Sequence, residues 1–201
     1  MNFKTITTSV LGAVALIAAM NASATLIDFE DRGNGESLIG TGYQGLQWNG
    51  GAGDLYTLNG TNYNDQSSGY TTLANALDGD IVGFNGFGTN PAEIAAIGDT
   101  TFDLTSAWFT SAWDTQLNMT FSGLLDGVEV YSMDFAALRE TAQQVVFDWV
   151  NIDTFRINDN GLHFAIDNIV VNETDVPEPA TLALMGLGLV GLSLSRKKKS
   201  V

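Results

Sequence analysis

Cysteine is absent from the chain, which excludes a disulfide framework and any thiolate nucleophile or ligand. It does not place the protein inside the cell, because exported bacterial proteins often avoid thiols. Lysine is missing where it would matter most: between Thr25 and Asp175 there is none, and 22 Asp and Glu face three arginines (Arg32, Arg139, Arg156), a net charge of −19. Nucleic acid is thereby excluded as a partner, since affinity for phosphates rests on the Lys and Arg that neutralise them. The acidity reads first as solubility outside the cell and second as a capacity to bind cations. Histidine occurs once, as His163. With no nucleophile elbow and no metal-spaced histidines, the chain is predicted not to be an enzyme. Its many acids keep a secreted glycoside hydrolase with paired carboxylates as an alternative.

Long apolar runs occur only at the two ends. Val10 to Met20 is apolar, follows a single cation at Lys4, and meets Ala22-Ser23-Ala24. Small residues at Ala22 and Ala24 make the A-x-A pattern of a signal-peptidase site, so residues 1–24 are predicted to be a signal peptide cleaved after Ala24. At the other end Pro177-Glu178-Pro179 precedes the apolar Ala180 to Leu194, and Arg196, Lys197, Lys198 and Lys199 follow. An apolar helix backed by four cations is a membrane segment whose basic end stays inside. The Pro-Glu-Pro ahead of it resists helix and sheet, leaving backbone that a protease can grip. Gly186 to Gly191 fits G-x-G-x-x-G, but inside an apolar helix, with no preceding strand or βαβ unit, it is not a dinucleotide site.

These three features in this order resemble the PEP-CTERM sorting signal, over residues 176–201. The resemblance implies recognition by an exosortase at the inner membrane, in bacteria that make exopolysaccharide, and a destination at the cell surface or extracellular matrix. It implies nothing about what the passenger binds.

The passenger, residues 25–175, has short apolar or aromatic runs punctuated by Gly, Asn and Asp, with little helical periodicity. About ten strands with hairpin turns and no helical crossovers predict an all-β fold, an antiparallel β-sandwich of jelly-roll type. Leu117, Met119 and Phe121 alternate with Asn118, Thr120 and Ser122, and Asp126-Gly127 supplies a hairpin turn. Pro91 to Ile97 is predicted to make a helical turn or two, and residues 40–75 long surface loops interrupted by core residues. The motifs Ile27-Asp28-Phe29-Glu30, Phe102 to Phe109 and Phe164 to Ile169 resemble those of β-sandwich passengers and carbohydrate-binding modules, which implies a structural calcium between first and last strands.

The residues themselves point to the same place. In a jelly roll the first and last strands lie near each other, so Asp28, Glu30 and Asp167 are the candidate Ca2+ ligands, calcium relieving their mutual repulsion. The apolar parity of the last strand changes at Asp167-Asn168, which predicts a β-bulge there. Sugar rings stack on flat aromatic faces, so Tyr70, Phe109 and Trp113 are the candidate ligand-binding residues. The expectation is a non-catalytic glycan- or calcium-binding module associated with exopolysaccharide, the competing class being a structural adhesin.

Overall fold

A computed structural model describes residues 24–48, 54–77 and 79–172. The predicted signal peptide, Ala24 excepted, and the sorting tail with Pro177, Glu178, Pro179, Arg196, Lys197, Lys198 and Lys199 lie outside the described residues. Among those described, no helix is long and apolar enough to cross a membrane.

The described residues form an antiparallel two-sheet sandwich. Its strands are β1 (Thr25–Ile27), β2 (Ser37–Leu38), β3 (Leu46–Gln47), β4 (Leu55–Asn59), β5 (Ile81–Asn85) and β6 (Ala92–Ala96), then β7 (Phe102–Ser111), β8 (Gln116–Leu125), β9 (Val128–Leu138), β10 (Gln143–Ile152), β11 (Thr154–Asn158) and β12 (Phe164–Val171). One helix, α1 (Gly69–Ala76), falls between β4 and β5. The first sheet runs β10-β7-β12-β5-β4-β2, with β1 also on β12, and the second runs β3-β6-β11-β8-β9. One flank of β12 is shared: β5 pairs with Ala165 and Ile166, β1 with Ile169 to Val171.

Period-two patterning explains the layers. In β8, Leu117, Met119 and Phe121 are buried in the core between the sheets, while Asn118 is exposed and Thr120 half-exposed. Asp126 and Gly127 take φ of 52° and 75°, the doubly positive turn that reverses β8 into β9. A second apolar cluster lies outside the first sheet, where Tyr70, Leu73 and Ala74 of α1 cover Phe84, Ala112 and Ala165.

Two local expectations are corrected. Pro91 to Ile97 is not helical: after a cis Asn90–Pro91 bond the chain forms β6, with Ala92 and Ile94 buried and Glu93 paired to Arg156. Burial of alternate residues between β11 and β3 overrides the local helix preference of Ala and Glu. The stretch 40–75, expected as loops interrupted by core residues, also holds most of α1. The helix has a sequence cause, since the Ser68 hydroxyl accepts from the Thr71 N–H as an N-cap.

Candidate functional site

At the junction of the first and last strands the chain leaves β1 and turns sharply at Phe29, whose φ is 60°. That turn sinks the Phe29 ring into the core beside Tyr43 and Trp48, at centroid distances of 5.9 and 5.6 Å. Asp28 is left half-buried and Glu30 exposed. Glu30 Oε1 accepts from the Asp80 and Ile81 N–H groups, each at 2.8 Å, pinning the start of β5. Across from them, the register of β12 on β7 shifts between Asp167 and Val170, and Asn168 takes φ 45°. The bulge expected there is present, and Asp167 at its edge lies opposite Trp108, buried.

Asp167 is 1% exposed, and its Oδ1 accepts from the Asn168 N–H at 2.7 Å. Burial pushes its carboxyl up to about 8, opposed by the Asn168 hydrogen bond and reinforced by the negative charges of Glu30 and Asp28. The three predicted ligands therefore share one electrostatic neighbourhood. Among the described residues, though, no three Asp, Glu or His side chains meet as a ready-made metal site. Each acid has instead committed an oxygen to a backbone N–H, Asp28 Oδ1 taking that of Glu30 at 3.3 Å.

The aromatic expectation is corrected for two of its three residues. Phe109 is fully buried at the centre of the sandwich, 4.8 Å from the Phe121 ring. Its inward direction follows from an extra residue in β7, where Val170 and Val171 face Ser106 and Leu104, so the buried parity changes from Leu104 to Ala107 and Phe109. Tyr70 is 2% exposed on the first turn of α1, and burial raises its phenol far above the usual range. Trp113 remains 39% exposed, its ring 5.3 Å from Tyr70 and 5.8 Å from Tyr63.

A third place was legible only as an alternation of polar residues. The outer face of the second sheet carries polar side chains matched across strands. Arg156 Nε donates to Glu93 Oε1 at 2.6 Å, and the Thr120 hydroxyl donates to Asp134 Oδ1 at 2.8 Å. Along β8 itself, Gln116 Nε2 donates to Asn118 Oδ1 at 2.9 Å. On this face Asn118, Thr120, Asp134, Ala136 and Asn160 line an open cleft of about 380 Å³. That volume falls within the roughly 300–1,000 Å³ of small-ligand sites.

Asn160 reaches the cleft because its Nδ2 donates to the Asn118 carbonyl at 3.2 Å and because the loop carrying it is tied from below. Asp159 is fully buried; its Oδ2 accepts from Asn85 Nδ2 at 2.7 Å and its Oδ1 from the Gly161 N–H at 2.8 Å. Burial raises the Asp159 carboxyl to about 6 against the pull of those backbone hydrogen bonds. Asn85 also accepts from the Phe164 N–H and donates to the Leu162 carbonyl, and His163 Nδ1 lies 3.1 Å from the Asn85 carbonyl. The sequence makes Asn158 to Gly161 a turn through its Asn and Gly residues, with Asn160 and Gly161 at positive φ. It gave no sign of Asn85, more than 70 residues upstream, which holds that turn in place.

Two-sheet sandwich and exported chain are the broad class these features define. Residues 175–197 match the PEP-CTERM protein-sorting motif, which indicates an exported, cell-surface-directed protein. No curated protein gives a significant match. Among solved structures, a DUF4465 family protein from Bacteroides caccae is similar at 16% identity and a TM-score of 0.49, over 76% of this chain and all of that one. A family 29 carbohydrate-binding module from Piromyces equi aligns at 7% identity and a TM-score of 0.38, covering 81% of this chain and 99% of that one. The tandem CBM22 domain of Xyn10C from Paenibacillus barcinonensis aligns at 10% identity and a TM-score of 0.39, over 80% and 52%. At these scores none of the three bears on what this chain binds.

Proposed function

We propose that this is an exported surface protein whose sandwich is a non-catalytic glycan-binding module working in an exopolysaccharide layer. The observation that carries the reading is the cleft on the second sheet, where amide, hydroxyl and carboxylate groups of Asn118, Asn160, Thr120 and Asp134 lie beside the methyl of Ala136. Vicinal sugar hydroxyls need paired donors and acceptors, and the apolar face of a sugar ring needs a small flat floor. Amide and carboxylate side chains supply the former. Strands rather than loops hold most of these groups, which limits the ordering cost of binding. The route to the surface runs through signal peptidase at Ala22-Ser23-Ala24 and exosortase at Pro177-Glu178-Pro179, with the inner membrane as an intermediate station.

The full-length protein in mild detergent, applied to an array of bacterial polysaccharides, is expected to bind at least one of them. Asn118→Ala with Asn160→Ala is expected to weaken that binding at least about tenfold, equivalent to ~1.4 kcal/mol. Binding to no polysaccharide on the array would sink the reading.

A second reading, calcium binding, rests on Asp167. A buried carboxyl with two further carboxylates nearby and no cation beside it is favourable only if it is protonated or if a metal ion arrives. Asp28, Glu30 and Asp167 would hold the ion, which would supply positive charge and order rather than chemistry. Melting temperature in millimolar calcium is expected to exceed that in chelator, and to do so only while Asp167 is intact. Identical melting in both solutions would remove the metal.

A further inference from the structure

We infer that the cleft on the second sheet sorts glycans by charge: it takes an amino-sugar polymer with free ammonium groups and turns away uronic-acid polymers. The inference rests on the glycan-binding reading of that cleft and adds the chemical class of its ligand.

Its first support is Asp134, the only acidic side chain among the described residues lining the cleft. Thr120 orients its carboxyl group by a hydrogen bond at 2.8 Å, and among the described residues no arginine belongs to the cleft wall. An ammonium group placed there makes a charge-assisted hydrogen bond, roughly twice as strong as a neutral one. A uronate placed there meets a like charge.

The second support is where the cations of the sandwich are spent. Arg156 is held by Glu93 at 2.6 Å and Arg139 by Glu140 at 3.0 Å. Arg32 donates to the Leu38 carbonyl at 2.7 Å and lies over the Tyr43 ring at 5.2 Å. Reading an acidic polysaccharide takes a guanidinium or ammonium that is free to pair with carboxylate, and all three arginines already have partners.

The third support is the field. With 22 acids against three arginines over residues 25–175, the domain draws polycations toward its surface and repels polyanions before any contact forms. Field alone would gather any cation anywhere. The oriented carboxylate beside the Asn118 and Asn160 amides makes one place specific, since the amides read hydroxyls while Asp134 reads the amine.

The test is calorimetry on the full-length protein in mild detergent with three hexamers: glucosamine, N-acetylglucosamine and galacturonate. The glucosamine hexamer is expected to bind about tenfold more tightly than its acetylated counterpart, with affinity falling as NaCl rises from roughly 50 to 300 mM. No binding is expected for galacturonate. Asp134→Asn is expected to abolish the preference for the free amine, whereas Asp99→Asn, which removes an exposed acid from the turn after β6, is expected to leave it intact. Equal losses in the two variants would mean bulk attraction and would overturn the inference. Equal or tighter binding of the acetylated hexamer would overturn it too, while leaving glycan binding in place. Failure of all three hexamers and of every polysaccharide on the array would bring down both.

Discussion

Two carboxyls shut away from water, Asp167 and Asp159, set how this protein responds to acid. Burial raises them to about 8 and about 6, above the ~3.9 of an unfolded aspartate. The fold therefore holds their protons more tightly than the unfolded chain does, and the stabilisation is complete below about pH 4. It is lost as pH rises, through 6 for Asp159 and through 8 for Asp167. In calcium-free buffer the melting temperature is expected to fall from about pH 4 to about pH 8. Asp167→Asn keeps an acceptor for the Asn168 N–H and removes the charge, so it should flatten the upper half of that fall. At pH 8 the variant should melt higher than the parent, by about 3 °C per kcal/mol in a domain of this size. A parallel fall in parent and variant would refute the assignment. Phe87 presents another single-residue test: it is 87% exposed, has φ 56°, and touches Tyr56 only edge-on at 5.9 Å. Left-handed backbone costs a residue with a Cβ roughly 1–2 kcal/mol. Phe87→Gly is expected to leave unfolding free energy unchanged or raise it by up to about 1 kcal/mol in urea titration, an outcome unusual for deletion of an aromatic ring.

At the scale of elements, α1 is held on the sheet by close backbone approach. Gly69 N–H donates to the Ala112 carbonyl at 2.8 Å, and the Thr110 hydroxyl donates to the Gly69 carbonyl at 2.8 Å. A Cβ at Gly69 would stand 1.8 Å from the Ser111 carbonyl oxygen, so Gly69→Ala must push the helix off the sheet and expose Tyr70 and Leu73. Removing the cap by Ser68→Ala should cost about 1 kcal/mol. The Gly69 variant should lose several times as much, measured by the same denaturant titration, and similar losses for both would contradict the docking. This helix also shows where sequence reading stops. The hairpin β8–β9 was legible because its alternation and its Asp126-Gly127 turn are local, and the bulge at Asp167 was legible because apolar parity changes within one strand. The helix was hidden because its short sequence includes the weak helix formers Gly69, Thr71 and Thr72, and it docks on the sheet beneath it. The aromatic site failed for the same reason: the extra residue in β7 that turns Phe109 inward is defined by pairing with β12, not by any neighbour in sequence. Of the cleft face, the polar alternation of β8 was visible, but its partners Asp134 and Asn160 arrive from other strands and loops.

For the molecule as a whole, charge is the dominant long-range term. A net −19 over residues 25–175 makes the folded state repel itself at low ionic strength. Added NaCl, which shortens the reach of each charge to about 8 Å near physiological strength, is expected to raise the melting temperature of the parent. A flat response in a salt series would show that the acids are spaced widely enough to ignore one another. A different consequence follows from β1 lying against β12, with Thr25 opposite Val171. The two strands that begin and finish the sandwich are neighbours in the first sheet, so the peptide leaves the domain almost where it enters. Any load carried through both of those strands would therefore enter the domain at one corner of the first sheet, while the cleft lies on the other sheet.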